Sequence, residues 1–328
     1  MRSRRPAAAF YCVSDERYFL GAVGMINSLR ILGHSEPVFL LDCGLKPAQR
    51  EILDPHVTLV PAPRDAPPYL LKTVAPLRHP AKVMVLIDAD MIVTRPLSEL
   101  IEEAARGGVV AFRDRQDRFV AGWGELLELG DARRRPYVSV SLVFLGGSLG
   151  AEVARLMDDR QGRVDFDRTF YGRNDSEYPF LYPEQDVLNA ILCTRPEDYR
   201  VTALENRLAP TQPFRDLRLR DEATLRCAYP DGSEPFVLHH FYRKPWLEPM
   251  YHGIYSQLLA RLLLGGDVTV KVSEREVPLR MREGLLARLE RKRVDVQDLA
   301  RWYARDVIPE WIEARAGALR RRRASGES

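Results

Sequence analysis

The chain has 328 residues, 45% of them hydrophobic and 29% charged, an ordinary balance for a soluble protein with a sizeable core. Its 49 Lys and Arg against 46 Asp and Glu leave a net charge of +3, which carries no global nucleic-acid signature. Cys12, Cys43, Cys193 and Cys227 are scattered with no Cys-x-x-Cys pair, which disfavours a zinc site or disulfide framework and points to a reducing compartment. The apolar run behind the basic Met1–Arg5 stops at Val13, too short for a signal peptide, and no stretch approaches a membrane span. A cytoplasmic location is expected.

In chain order, Ala8 to Val13 reads as a buried strand, broken by Ser14-Asp15-Glu16-Arg17. Tyr18 to Leu32 carries apolar residues at helical spacing and ends at Gly33. Strands follow at Pro37–Leu41 and Val57–Val60, with a short helix, Lys46–Leu53, between them. Pro61–Pro68 is a proline-rich loop, and Tyr69–Leu77 is expected to be helical. Strands alternating with helices at this spacing predict βαβ units and a parallel sheet.

The next strand, Val83 to Ile87, is five consecutive apolar residues, the pattern of a strand buried on both faces. At its carboxyl end stand Asp88-Ala89-Asp90. That end is where open α/β sheets bind ligands, and residues two apart in an extended segment point to one side. Paired acids beside a core repel and lose hydration unless a cation or proton compensates; a divalent metal carrying a phosphorylated substrate would do so. A solvated cap of acids explains the same residues without function.

Beyond it, a helix from Pro96 to Ala105, a strand from Val109 to Phe112, a helix from Trp123 to Leu129 and a strand from Tyr137 to Leu145 are expected. Ala151–Met157 is helical, then Asp158–Pro179 is a polar loop of the length used for lids and binding loops. In Tyr182-Pro183-Glu184-Gln185-Asp186, proline suits the first position of a helix and the acids its positive end. A functional role would have Glu184, Gln185 and Asp186 face the reacting carbon of a sugar. Asn206–Pro235 looks irregular, and Phe236–Leu238 forms a last strand running into His239-His240, where an imidazole could complete a metal sphere and Lys244 could hold phosphate. The texture changes near Pro249: Leu247–Leu264 is an amphipathic helix and Leu279–Arg323 is helical and dense in arginine. Residues 1–249 thus read as a catalytic domain and 250–328 as a helical extension.

Taken together, Ser14-Asp15-Glu16-Arg17-Tyr18 with its helix to Asn27-Ser28-Leu29, Lys72, Ile87-Asp88-Ala89-Asp90, Glu184-Gln185-Asp186-Val187-Leu188-Asn189 and Lys244-Pro245-Trp246 resemble retaining glycosyltransferases of family 8, the glycogenin and lipooligosaccharide galactosyltransferase group. The resemblance runs from about Phe10 to Trp246. It implies a GT-A fold, with a mostly parallel central sheet flanked by helices, a nucleoside-diphosphate (UDP) sugar donor, a hydroxyl acceptor on a glycan, small molecule or protein, and Mn2+ or Mg2+. It assigns Asp88, Asp90 and either His239 or His240 to the metal. Asp15, Lys72, Lys244 and Ala89 go to the nucleotide sugar, and Glu184, Gln185 and Asp186 to the anomeric carbon. Three departures mark a divergent member: His239 stands five residues before Lys244 with no intervening glycine, Ser139-Val140-Ser141 replaces Asn-Ser-Gly, and Glu184 replaces aspartate.

Two other classes fit less well. A nucleotidyltransferase would favour a Gly-rich basic loop after the first strand, where this chain is acidic and glycine-free. A non-catalytic sugar-nucleotide-binding scaffold would not need intact Asp88, Asp90 and Lys244. In the tail, Trp302, Tyr303, Ile308, Trp311 and Leu319 precede Arg320–Arg323, which suits either a helix packed on the domain with a charged end or peripheral contact with an anionic membrane.

Overall fold

The computed structural model describes residues 5–63, 68–194, 199–248, 250 and 253–302, without the side chains of Tyr69 and residues 297–302. The boundary residue Pro249 and the tail from Tyr303 to Arg323 lie outside the described residues. In chain order the elements are β1 (Ala8–Ser14), α1 (Phe19–Ile31), β2 (Val38–Asp42), α2 (Pro47–Leu53), β3 (Thr58–Pro61), α3 (Val74–Arg78), β4 (Val83–Ile87), β5 (Met91–Val93), α4 (Ser98–Ala105), β6 (Val109–Arg113) and α5 (Trp123–Leu126). They continue with β7 (Val138–Gly146), α6 (Gly147–Gln161), α7 (Pro183–Thr194), β8 (Val201–Leu204), β9 (Arg218–Asp221), β10 (Arg226–Ala228), β11 (Val237–His239), α8 (Gly253–Leu264) and α9 (Leu285–Trp302).

Seven strands form the main sheet in the order β3-β2-β1-β4-β7-β6-β8. Pairing is parallel except at β7, which runs antiparallel to both β4 and β6, so the sheet is mixed where βαβ spacing alone predicts a parallel one. The apolar runs of β1 and β4 follow from burial on both faces. Phe10, Val83, Val85 and Ile87 enter one core with α1 and α8. Their alternates Ala9, Tyr11, Met84 and Leu86 enter the other with α6 and α7.

After β4 the chain turns, with Met91 N–H donating to Asp88 O, and leaves the main sheet as β5. Strand β5 pairs antiparallel with β11, Met91 opposite His239. A strand far along the sequence is thereby carried back to the end of β4. Helix α1 fixes this small ribbon: Ser28 Oγ accepts from Val93 N–H at 3.0 Å. Its neighbour Asn27, fully buried, donates to the carbonyls of Leu262 and Val270 and accepts from Val270 N–H, pinning α8 and the segment after it to α1. Buried amides are satisfied in this way because an unpaired polar group there is costly.

Several expected elements are reshaped. Tyr69–Leu77 is not one helix but a 3-10 turn, Pro68–Leu70, and the short α3, with Lys72 in the break. The Trp123 helix closes at Leu126, and Asn206–Pro235 contains the β9–β10 hairpin. The helix placed from Leu247 begins at Gly253, and Leu279 opens a 3-10 turn before α9.

Candidate active site

Asp88, Ala89 and Asp90 form the turn between β4 and β5. Their close approach comes from that turn and not from a continuing strand, because the ladder to β7 ends with Ile87 opposite Leu142 and Asp88 N–H donates to Ser141 O. The Asp90 carbonyl accepts from His240 N–H at 3.1 Å and from the Tyr255 hydroxyl of α8 at 2.9 Å. Gly21 of α1 packs against the same turn; a β-carbon there would lie 2.6 Å from Ala89 O and 2.7 Å from the Trp246 ring. Glycine is needed here for close approach of a helix to the acid turn.

One oxygen each of Asp88 and Asp90 and one ring nitrogen of His239 lie within 4.8 Å of one another. Among the described residues His240 does not join that group. Its ring turns away to pack on Tyr255, 4.8 Å between centroids, and burial with the Lys244 charge lowers its pKa to about 4. Of the two imidazoles, it is His239 that the β5–β11 register places beside the acids.

Two lysines answer the two carboxylates. Lys244 Nζ lies 2.5 Å from Asp90 Oδ2 and donates also to His240 O, while Lys72 Nζ lies 2.7 Å from Asp88 Oδ1 and 3.9 Å from Glu184 Oε1. Burial opposes ionisation of Asp90, but His239 and Lys244 outweigh it and hold its carboxyl well below the usual carboxylate range. Burial likewise opposes the charge on Lys72, yet Asp88 and Glu184 keep that amine above the ordinary lysine range. Glu184 is 5% exposed in the first turn of α7, and burial raises its carboxyl to about 7 despite Lys72.

This donor set fits a divalent cation. The buried Asp90 Oδ1 lies 3.2 Å from His239 Nε2 but has no hydrogen-bond partner, so a lone pair remains for a metal. Two carboxylate oxygens and an imidazole nitrogen suit manganese or magnesium better than thiophilic metals.

The remaining expected residues fall in different places. Asp15 Oδ1 accepts from the N–H groups of Arg17 and Tyr18, at 2.9 Å each, and so organises the entry to α1. Gln185 bridges Val140 N–H and Asp114 Oδ2. Glu184, Gln185 and Asp186 are expected from sequence to face a sugar's reacting carbon together; Asp186 points away from Glu184 and the acid cluster. It is fully buried, held by the Tyr137 hydroxyl at 2.7 Å, Tyr182 N–H at 2.8 Å and Arg118 Nε at 3.2 Å. Burial raises its carboxyl to about 6 against the pull of Arg118 and Tyr137. The physical reason is helical geometry: residues two apart on α7 diverge by about 200°, so Glu184 and Asp186 cannot share a face.

Sequence reasoning missed Gly21 and Tyr255, and gave Tyr18 no role. Lys244 Nζ sits 5.6 Å above the Tyr18 ring, and Trp246 packs edge-on to that ring while its indole N–H donates to Arg17 O. Tyr18 and Trp246 stood inside the quoted motifs; Gly21 and Tyr255 carry no local signal.

No family model matches the sequence, and neither does any curated protein. Solved structures do match. The bifunctional glycosyltransferase WbbM, in its apo structure, superposes with TM-score 0.51 at 15% identity over 79% of this chain and 50% of that one, so the chain spans half the length of WbbM. The galactosyltransferase LgtC, in complex with donor and acceptor sugar analogs, gives 0.51 at 14% identity over 81% of this chain and 98% of that one. An active-site mutant of LgtC gives 0.52 at 13% identity with the same coverage. At such identities the likeness is one of fold, and it agrees with the architecture that the sequence motifs implied. The chain therefore has the GT-A fold of these glycosyltransferases, with a mixed central sheet between helical layers.

Proposed function

We propose that the protein is a glycosyltransferase, a divergent relative of family 8, which moves a hexose-type sugar from a nucleoside-diphosphate donor, UDP by preference, to an acceptor hydroxyl with retention of anomeric configuration. One observation carries the reading: Asp88, Asp90 and His239 converge at the end of β4 with a lysine paired to each acid, Lys72 to Asp88 and the buried Lys244 to Asp90.

In this reading Asp88, Asp90 and His239 hold Mn2+ or Mg2+, which when bound offsets the negative charge that grows on the departing diphosphate. Lys72 and Lys244, relieved of the carboxylates they now neutralise, present their charge to that diphosphate. Trp246 and Tyr18 keep Lys244 aimed and shielded from water, where its charge counts for more. Gln185, anchored to Val140 and Asp114, offers its amide to the sugar, and Glu184 lies beside Lys72 at the edge of the same cluster. Asp15 is left with its second oxygen for the nucleotide. Asp186 acts as the buried anchor of α7 and not as a group on the reacting carbon. The division into a catalytic region, 1–249, and a helical extension, 250–328, belongs to the same proposal, with Tyr255 linking the extension to the acid turn. So does a cytoplasmic location; no helix among the described residues is long and apolar enough to cross a membrane.

Thermal-shift titration with nucleotide sugars tests it. A UDP sugar is expected to stabilise the protein in the presence of manganese, and Asp90→Asn to abolish that shift. Metal-independent stabilisation, or none from any donor, overturns the proposal.

A further inference from the structure

Building on the transferase reading, we propose that a cavity of about 430 Å³, whose lining residue Pro210 is bonded to the His239 backbone, receives an anionic group, phosphate or carboxylate, on the acceptor sugar. The cavity belongs to the same local framework as the acid cluster. Its lining residues Pro210 and Thr211 are tied to β11: His239 N–H donates to Pro210 O at 3.0 Å, and Thr211 bridges to His239 in parallel register. Arg115, from the loop after β6, lines another side and donates to Thr211 O at 3.2 Å. The residue before it, Asp114, accepts from Gln185. The lining is therefore bonded to the backbone of the metal-ligand candidate and stands one residue from the Asp114 that holds Gln185.

Three exposed arginines line this cavity, Arg115 from the loop after β6 and Arg207 and Arg215 from the stretch before β9. Arg207 is already answered: it pairs with Asp231 at 2.8 Å and lies 4.5 Å over the Tyr229 ring. Arg115 and Arg215 form no ion pair among the described residues. Gathering like charges is unfavourable unless an anion relieves it, and the planar guanidinium fork matches phosphate or carboxylate in two-point contact. The rest of the lining suits a sugar. Phe214 and Tyr229 supply apolar surface, and an adjoining cavity of about 400 Å³ is lined by Asp216 and Asp231, acceptors for hydroxyl groups. Each volume is within the range of small-molecule sites, about 300–1,000 Å³.

Calorimetric titration of the full chain with glucose 6-phosphate, glucuronate, methyl glucoside and inorganic phosphate provides the test, repeated on Arg215→Gln and on the double variant Arg115→Gln/Arg215→Gln. At least one anionic sugar is expected to bind, and methyl glucoside to bind at least about tenfold more weakly. Which of glucose 6-phosphate and glucuronate binds decides between phosphate and carboxylate. Arg215→Gln, which removes a side chain with no hydrogen bond to the fold, should weaken binding roughly tenfold with the melting temperature unchanged. Equal affinity for methyl glucoside, inorganic phosphate binding as tightly as the sugar phosphate, unchanged binding in both variants, or no anionic sugar bound at about 10 mM each overturns the proposal. Metal-dependent donor binding on the same samples reports the transferase reading separately. Donor binding without anionic-sugar binding removes the acceptor pocket alone; anionic-sugar binding without donor binding removes the transferase reading and, with it, the assignment of the bound sugar as an acceptor.

Discussion

Glu184→Gln is expected to stabilise the protein, and to do so only where the native glutamate is ionised in the unfolded chain. Glu184 is 5% exposed, and burial raises its carboxyl from 4.5 to about 7 although Lys72 is 3.9 Å away. A group whose folded pKa is raised is more protonated in the folded state than in the unfolded state between the two values. Stability therefore falls as pH rises from 4.5 towards 7 and then levels off. The full loss corresponds to about 3 kcal/mol. Glutamine has the same shape and never ionises, so the variant should match the wild type near pH 4.5 and exceed it by up to about 3 kcal/mol at about pH 8. Lys72 keeps Asp88 at 2.7 Å in the variant, so its charge is not orphaned. Urea denaturation of metal-free protein at a series of pH values, wild type beside variant, reads the difference directly, since all other groups cancel. A difference that does not change with pH, or a variant that is less stable at high pH, would refute the reasoning that burial dominates at Glu184.

Asp186→Asn should cost about 1–3 kcal/mol in urea unfolding, because the amide cannot accept from both Tyr137 and Tyr182 as the two carboxylate oxygens do, and it leaves the Arg118 ion pair without its anion. Donor titration should be almost unaffected by that substitution; loss of donor binding with normal stability would restore Asp186 to the reaction centre. Lys244→Met leaves the Asp90 carboxylate buried with only His239 beside it, and metal-free stability should fall by about 3–5 kcal/mol. Manganese should restore much of that stability while nucleotide-sugar binding stays impaired, and thermal shifts with metal alone and with donor separate the two effects. Gly21→Ala drives a methyl group into Ala89 O and the Trp246 ring and should cost about 1–3 kcal/mol by overpacking. The same substitution should weaken manganese binding, because it moves the turn that holds Asp88 and Asp90; calorimetry with unchanged metal affinity would show that the turn is not held by α1.

The apolar runs of β1 and β4, of the length of a strand and bounded by polar residues, announced strands buried on both faces. Asp88 and Asp90 could be named from their place at a strand end and Lys244 and the His239-His240 pair as their possible partners, whereas Lys72 could be named only from the family resemblance; the structure pairs Lys72 with Asp88 and Lys244 with Asp90. Sequence alone left His239 and His240 equivalent. The antiparallel register of β11 on β5 separated them, placing one imidazole on the acids and the other against Tyr255, a pairing between strands about 145 residues apart that no local pattern encodes. The antiparallel course of β7, the inward turn of Asp186, the need for Gly21 and the arrival of Tyr255 at the Asp90 carbonyl were likewise settled by tertiary structure. Local sequence specifies periodicity and charge, and hence which residues can be strand, helix or site. Which face meets which partner depends on long-range packing, where a one-residue step in a strand or a two-residue step in a helix sends a side chain to the opposite side.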